Sequence, residues 1–282
     1  MNSAEFPLLS VLIWLPLFGA TSVCFVRNLK GAKWFTLLIA LMELVISFYA
    51  ILGFECEKGN ELQWVENHVW ITRLNIDYFL GVDGLSILLL PLSAFLTLLT
   101  LLATWNSVQR LQHFHLSLLL ALEGITMGVF TAMDMLLFFK FWELTLPPIF
   151  FLIGLWGIGP GRRNAAIKYI MVMLFGGAAL LFGIILLGLN HVNSINGTLP
   201  NDLTFSLPEL LNTPMAEDME TLVFFLLMVG FAVKAPLPPF HTWLPEIAME
   251  GSTQMTAMLT GLKLGVYGII RFAMPLAPTA TV

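Results

Sequence analysis

Charge is scarce in this sequence, and cysteine is almost missing. Of the 282 residues only 11% are Asp, Glu, Lys or Arg, less than half the share found in ordinary soluble domains. The 58% hydrophobic share and the mean hydropathy of +0.86 exclude a water-soluble globule. A transmembrane β-barrel is excluded as well, because barrel strands alternate apolar and polar residues, whereas the apolar runs here are apolar on every face.

The two cysteines, Cys24 and Cys56, have no metal-ligand spacing and form no CxxC motif. The sequence therefore predicts neither a redox pair nor a metal site, and we expect no cofactor bound by this chain. We also expect no nucleic-acid partner, since the chain has a net charge of −5.

The fold class predicted from the apolar runs is all-α, a polytopic bundle of about eight membrane-spanning helices. Each run approaches the roughly 20 apolar residues that a spanning helix needs. The predicted spans are residues 6–26, 34–54, 78–105, 114–133, 135–157, 165–189, 221–244 and 252–274.

The basic residues between the spans predict the orientation. One side of the predicted membrane topology carries Arg27, Lys30, Lys33, Arg110, Arg162 and Arg163, and the other carries only Lys58 and Arg73. Because short cytoplasmic loops are enriched in Lys and Arg, we expect the N-terminus on the lumenal or periplasmic side. The long loops 55–77 and 190–220 are expected on that side too.

Ionisable residues inside the predicted spans indicate the function. A charge in hydrocarbon costs at least about 2.5 to 3.5 kcal/mol, so it is normally kept only where it is paired or hydrated. The residues concerned are Glu43, Glu123, Lys140, Glu143, Lys168, Lys234 and Lys263. Lysines in consecutive spans with a glutamate upstream favour a proton relay over a metal-ion pore, which would need rings of oxygen ligands. For any single residue, a purely structural buried ion pair is the alternative.

The seventh predicted span is interrupted after Lys234 by prolines at 236, 238, 239 and 245. No continuous α-helix survives such a run, because each proline removes a backbone donor. Broken helices at membrane depth recur in ion transporters. His241 follows the break, where it is either a hydrogen-bonded structural residue or a further member of the relay.

Three sequence strings carry a family resemblance: LGVDGLS at 80–86, FFKFWEL at 138–144 followed by Pro147, and VGFAVKAPLPPFHTWLP at 229–245. With Arg271 and Phe272, they resemble the antiporter-like chain 4 family of respiratory complex I and of cyanobacterial and chloroplast NAD(P)H-quinone oxidoreductase. The resemblance extends from the first span to the end of the chain.

The resemblance implies a proton-translocating membrane-arm subunit without a redox centre of its own. NAD(P)H or ferredoxin, iron-sulfur clusters and plastoquinone are expected elsewhere in the complex, and other membrane-arm subunits and the lipid bilayer are the expected partners. By resemblance, Glu143 pairs with Lys234, protons pass to Lys263, and His241 lies on the onward path. Glu123 and Lys168 match further charged family positions.

The sequence also departs from the family. Family chains are nearly twice as long, so we expect residues 1–113 to form an N-terminal unit, residues 114–282 to form one half-channel, and the inverted second half to be missing. Glu246 follows the Trp-Leu-Pro motif where the family usually has Asp. Lys140 replaces an apolar residue and is spaced to pair with Glu143 on one helix. Glu43 is a candidate for pairing with a neighbouring subunit.

These departures suggest a divergent cyanobacterial branch of the CO2-uptake type, in a thylakoid membrane. Two alternatives remain open: a subunit of a multisubunit cation/proton antiporter, and a truncated structural subunit that does not pump. Asp83 is expected to cap the third span, and the glycines at 176, 177, 183 and 188 are expected to permit close helix packing.

Overall fold

The computed structural model describes residues 6–252, 256, 258 and 263–281. Helices dominate this part of the chain. The long and intermediate helices are α1 (Leu8–Val23), α2 (Leu29–Leu52), α3 (Leu89–Thr104), α4 (Gln112–Thr131), α5 (Met135–Leu144), α6 (Leu146–Trp156) and α7 (Arg162–Ser194). They are followed by α8 (Leu207–Leu211), α9 (Glu217–Lys234), α10 (Trp243–Glu250), α11 (Leu264–Leu276) and α12 (Pro278–Thr281).

Four segments of the described chain are long and apolar enough to cross a membrane. They are Leu29–Leu52, Gln112–Thr131, Met135–Trp156 and Arg162–Ser194. The helices α1, α3 and α11 are apolar but shorter. The helical membrane class is therefore confirmed, whereas the number of eight spans stays a prediction.

A β-hairpin corrects the all-α expectation. Strands β1 (Gln63–Ile71) and β2 (Ile76–Val82) pair antiparallel, and Asn75 turns the chain between them with a φ of 51°. The third span, expected to start at residue 78, is wrong at its start, because residues 78–82 belong to β2 and α3 begins only at Leu89. Backbone pairing with β1 satisfies this apolar stretch without a helix.

The hairpin covers the start of α1. The Glu66 carboxylate on β1 accepts the backbone N–H of Leu9 at 2.7 Å and also binds the Ser10 hydroxyl. That hydroxyl lies 3.1 Å from the Tyr78 hydroxyl on β2. Glu66 thus satisfies free N–H groups at a helix N-terminus, where a negative charge is favoured. We call this end of the bundle the hairpin end.

The opposite end carries the 157–161 loop, and we call it the Arg162 end. Here the Trp156 indole donates to the Arg110 carbonyl at 2.9 Å, and the Glu250 carboxylate accepts the Gly161 N–H at 2.6 Å. The last residue of α10 is therefore fixed to the loop that precedes α7.

Glycines bring α7 and α9 into close contact. A Cβ at Gly176 would lie 2.8 Å from the Val233 Cβ, and one at Gly230 would lie 2.7 Å from the Leu180 Cβ. The expected close packing at Gly176 is confirmed, and it fixes the end of α9 against the middle of α7.

The predicted break in the seventh span is confirmed. The helix α9 ends at Lys234, a 3-10 turn covers Phe240–Thr242, and α10 starts at Trp243. The Trp243 indole donates to the Val233 carbonyl at 2.8 Å and so satisfies a backbone group near the break.

The fifth predicted span, residues 135–157, is also interrupted, which was not expected. The helix α5 ends at Leu144 and α6 starts at Leu146, with Thr145 between them. Pro147 and Pro148 explain the interruption, since neither can donate an N–H to the carbonyl four residues earlier. The two interrupted segments meet at Lys234.

Candidate functional site

Lys234, the last residue of α9, reaches the interruption between α5 and α6. Its ammonium donates to the Trp142 carbonyl at 2.9 Å and to the Thr145 hydroxyl at 2.7 Å. It also lies 4.0 Å from the centroid of the Trp142 ring, where a cation is attracted to the π face. The charge is therefore held inside the protein by a carbonyl, a hydroxyl and a ring.

Glu143 on α5 points toward α7 and is half-buried. Its carboxylate lies against Gly177, where a Cβ would overlap Oε1. In the described part of the chain it forms no ion pair with Lys234, although the two charges interact through space. A direct Glu143–Lys234 pair is thus not formed; the two groups are neighbouring, separate positions.

Lys263 shares a cavity with Lys234. The cavity measures about 110 Å³, and Tyr169 and Trp243 also line it. This volume is large enough for several water molecules. Lys263 directly precedes α11, and Gly265 lies so close to Ala235 that a Cβ there would overlap its backbone N. The close approach brings the two lysines to one cavity, although the Lys263 side chain is itself exposed.

Lys168 on α7 forms an ion pair with Glu246 on α10. The two side chains are 36% and 41% exposed. The pair lies just past the break, toward the Arg162 end. Glu246 was noted in the sequence only as a departure from the family motif, so its role as the partner of Lys168 was missed.

Two further predicted positions lie outside the cavity. His241 is exposed in the 3-10 turn after the break. Lys140 is exposed too, and in the described part of the chain it has no ion pair. The expected Lys140–Glu143 pair is wrong, because Glu143 turns toward Gly177 while Lys140 lies on the outward face with Leu144.

Glu43 on α2 and Glu123 on α4 have no exposed surface at all. Among the residues that the structure describes, none of their four carboxylate oxygens has a hydrogen-bond partner. The suggestion that Glu43 pairs with a neighbouring subunit is therefore wrong, since its side chain does not reach the surface of this chain. Glu123 lies away from the Lys234 cavity, although the preceding residue, Leu122, lines that cavity.

A second polar site lies at the hairpin end. Asp83 accepts the N–H groups of Leu85 at 3.2 Å and Ser86 at 3.1 Å in the turn before α3. The expected cap of the third span is wrong, because α3 begins only at Leu89 and Asp83 does not reach its N-terminus. Asp83 also forms an ion pair with Arg271 on α11, with the two side chains only 15% and 11% exposed. The pair borders an open groove of about 910 Å³. The partner of Asp83 was missed because it lies 188 residues away in the sequence.

Comparison with protein families gives one match. Residues 132–282 match the family described as NADH:quinone oxidoreductase/Mrp antiporter, transmembrane. The matched range contains both interrupted segments, Lys234 and Lys263.

Curated relatives extend the likeness to almost the whole chain. The chain is 34% identical to NAD(P)H-quinone oxidoreductase chain 4 of Lolium perenne chloroplasts over 98% of its length, and 36% identical to chain 4 1 of Synechococcus sp. over 96%. It covers 54% and 49% of these relatives. The chain thus spans about half the length of the curated relatives it matches.

Solved structures share the fold. A chain of respiratory complex I from Thermus thermophilus matches with a TM-score of 0.83 and 28% identity, covering 96% of this chain and 54% of that chain. A chain of the Mrp complex from Dietzia sp. matches with a TM-score of 0.79 and 20% identity, covering 96% and 29%. At that lower identity, the second likeness concerns the fold alone.

Proposed function

Because the chain belongs to the NADH:quinone oxidoreductase/Mrp antiporter transmembrane family, we propose that it moves protons as a membrane-arm subunit of an NAD(P)H-quinone oxidoreductase complex. The observation that carries this proposal is the position of Lys234. A lysine at an interrupted helix, inside the protein and beside a cavity that can hold water, is a proton carrier whose affinity changes with its surroundings.

In the proposed relay, Glu143 and Lys234 exchange a proton across the gap between them. Their separation supports transfer through water and argues against a permanent ion pair, which would hold both charges fixed. A proton leaving the Lys234 ammonium passes through the cavity to Lys263 once Lys263 has released its own proton toward the onward path. Each transfer moves one proton and changes the charge of donor and acceptor by one unit.

The other predicted positions have secondary roles in the proposal. The Lys168–Glu246 pair lies at the partly exposed approach to the break, where it would keep the path polar. His241 and Glu123 are proposed as further relay members, and neither is among the residues that line the cavity.

The setting in a whole complex is proposed from the relatives. NAD(P)H or ferredoxin, iron-sulfur clusters and plastoquinone would act in other subunits, and this chain would carry no redox centre. The Synechococcus and chloroplast relatives favour a thylakoid location. The basic Arg162 end would face the cytoplasm or stroma, with eight spans and the N-terminus on the lumenal side. A CO2-uptake variant is the more specific form of this proposal.

Isolation of the chain with its natural partners tests the setting. Copurification with iron-sulfur subunits supports an oxidoreductase complex. Copurification with antiporter subunits alone, as the Mrp fold match would allow, rejects it in favour of a cation/proton antiporter.

The relay itself is tested in the intact complex with Glu143→Gln and Lys263→Met. Both variants are expected to keep electron transfer and lower the number of protons moved per electron. Lys58→Ala is the matched control, because Lys58 is exposed and pairs with Glu55 at the hairpin end. Unchanged proton movement in both relay variants would reject the proposal and support a structural, non-pumping subunit.

A further inference from the structure

We propose that Glu43 and Glu123 form a carboxyl pair that binds an exchangeable proton within the helices α1 to α4. This site is distinct from the Glu143–Lys234–Lys263 cavity. The inference rests on the proposed function in one respect only: the proton held by the pair would enter the same membrane-arm transport.

The packing around Gly19 places the two glutamates at one depth. A Cβ at Gly19 on α1 would lie 3.2 Å from both Ile39 on α2 and Leu120 on α4. Both α2 and α4 end at the hairpin end: the Trp64 indole on β1 donates to a carbonyl near the end of α2, and the residue after α4 pairs with β2. Glu43 lies one helical turn beyond Ile39 on α2, and Glu123 lies one turn beyond Leu120 on α4. Both steps lead toward the hairpin end.

The surroundings of the two carboxyl groups do not stabilise a negative charge on both of them. Both are fully buried, and their four oxygens have no hydrogen-bond partner within residues 6–252 and the other described positions. The two groups also interact electrostatically with each other. Two carboxylates cannot both stay ionised in an apolar site without a cation. At least one of them must therefore hold a proton, so the pair changes between a net charge of −1 and zero.

No cation within the surrounding helices competes with that proton. The helices α1 and α3 contain no Asp, Glu, Lys, Arg or His, and the sequence range of α6 contains none either. The titratable residues of the other packed elements are Lys30, Lys33, Tyr49, Asp77, Tyr78, His113, His115, Lys140 and Glu143. On α2, Lys33 is ten residues from Glu43, or about 15 Å along the helix. On α4, His115 is eight residues from Glu123, or about 12 Å.

The two charged residues of α5 do not compete for the proton of the pair either, because neither side chain points toward Glu43 and Glu123. Lys140 lies on the exposed face of α5, and Glu143 points toward Gly177 on α7. Asp77 lies on β2 at the hairpin end, beyond the helices that hold the pair.

A row of buried hydroxyls on α3 extends from the depth of the pair toward the Arg162 end, and the hydroxyls of Thr97, Thr100 and Thr104 donate to carbonyls of their own helix. The buried face of α3 carries Ser93, Thr97, Thr100 and Thr104, at spacings of four, three and four residues. These spacings keep all four on one side of a helix. The Ser93 hydroxyl has no hydrogen-bond partner in the described part of the chain.

The Arg162 end of this row is polar and anchored. The Lys33 ammonium binds the Trp105 carbonyl just after α3. A small cavity there is lined by Lys33, Thr104, Gln112 and His115. Thr97 lies eight residues before Trp105 along α3, and Glu43 lies ten residues after Lys33 along α2. Thr97 and Glu43 therefore lie at similar depth in the bundle. A proton from this end would reach the pair along the hydroxyl face.

Infrared spectroscopy of the purified complex tests the inference. The carbonyl stretch of a protonated carboxyl group is separate from the bands of a carboxylate and shifts in D2O. We expect the Glu43→Gln/Glu123→Gln double variant to lose one such band, and each single variant to shift it. Glutamine keeps the shape of glutamate and removes its charge, so we expect all three variants to assemble.

Two controls accompany the spectra. Glu217→Gln, at an exposed position in the first turn of α9, should leave the band unchanged. Glu143→Gln should leave it unchanged as well, because Glu143 belongs to the other site. Loss of the band in Glu143→Gln would assign the proton to the relay and overturn the inference.

Transport separates this inference from the proposed function. Glu43→Gln should keep electron transfer and lower the protons moved per electron. If the double variant keeps both the band and the wild-type proton movement, the carboxyl pair is not a proton site, whatever the Lys234 variants show. If Lys234 variants pump normally while the band is still lost in the double variant, the proposed relay fails and the carboxyl pair stands.

Discussion

Gly177 lies directly against the carboxylate of Glu143, and a Cβ at residue 177 would overlap Oε1. A glycine on α7 therefore provides the space in which an acidic group of α5 rests. The position of Glu143, set back from Lys234, depends on this missing side chain.

We predict that Gly177→Ala displaces Glu143 without removing any charge. A misplacement of about 1 Å in a positioned group can cost up to about 100-fold in rate. We expect proton translocation through this chain to fall by up to that factor, while electron transfer stays intact. The measurement is proton movement per electron in vesicles that contain the complex.

Gly154→Ala on α6 is the matched control for this prediction. A Cβ at Gly154 meets only the Ala166 Cβ, at an ordinary 3.6 Å. Equal proton movement in Gly177→Ala and Gly154→Ala would show that the packing at Gly177 does not position Glu143.

Lys140→Met should leave the relay unchanged. Lys140 lies on the outward face of α5 and forms no ion pair within the described chain, so it does not hold the Glu143 charge. We expect the same number of protons per electron as in the wild type. A fall as large as that of Glu143→Gln would revive the Lys140–Glu143 pairing that the sequence suggested.

The Lys168–Glu246 pair should contribute little to stability. Because both side chains are more than one third exposed, screening by solvent limits such a pair to about 0.2 to 1 kcal/mol. A double-mutant cycle with Lys168→Met and Glu246→Gln, measured by thermal unfolding in detergent, should give a coupling energy in this range. A coupling of several kcal/mol would indicate that the pair is shielded from solvent.

Asp134 should make stability depend on pH. It lies just outside the Met135–Trp156 segment and accepts the N–H groups of Leu136 and Leu137, each at 2.9 Å. Burial raises its pKa to about 6, although these N–H groups and that of Asp77 oppose the rise. Between about pH 4 and 6 the folded state therefore binds more protons than the unfolded state.

Stability should accordingly fall as the pH rises through this window, by at most about 3 kcal/mol at 1.36 kcal/mol per pKa unit. Asp134→Asn keeps the capping oxygen and cannot ionise, so its thermal unfolding temperature should vary less from pH 4 to 7. A wild-type stability that rises over this window would contradict the assignment.

The positions of most helices could be predicted from the sequence, because long apolar runs leave the backbone few other ways to satisfy its hydrogen bonds in a membrane. The break after Lys234 was equally predictable, since four prolines lie within ten residues. Pro147 and Pro148 could have predicted the second interruption, at Thr145. The continuous apolar run around these prolines indicated a single helix instead.

The β-hairpin was harder to predict. Its second strand continues without a polar break into the apolar run of α3, so hydropathy alone joins the two. Pairing with β1 decides the boundary, and that pairing is a tertiary contact.

The partners of the charged residues could not be predicted at all. Lys168 and Glu246 are 78 residues apart, and Asp83 and Arg271 are 188 apart. The packing of α2 and α4 around Gly19 places Glu43 and Glu123 at one depth. Single residues in the spans indicated buried charge, but helix packing determines which charges are neighbours.

Proton movement by the Lys234→Ala complex tests the central claim most directly. The ammonium of Lys234 is held by the Trp142 carbonyl and the Thr145 hydroxyl at the meeting point of the two interrupted segments. The account predicts that Lys234→Ala keeps quinone reduction and loses proton translocation through this chain, whereas Lys234→Arg, which binds its proton too tightly to release it, is equally inactive in transport. Wild-type proton movement per electron in either variant would contradict it.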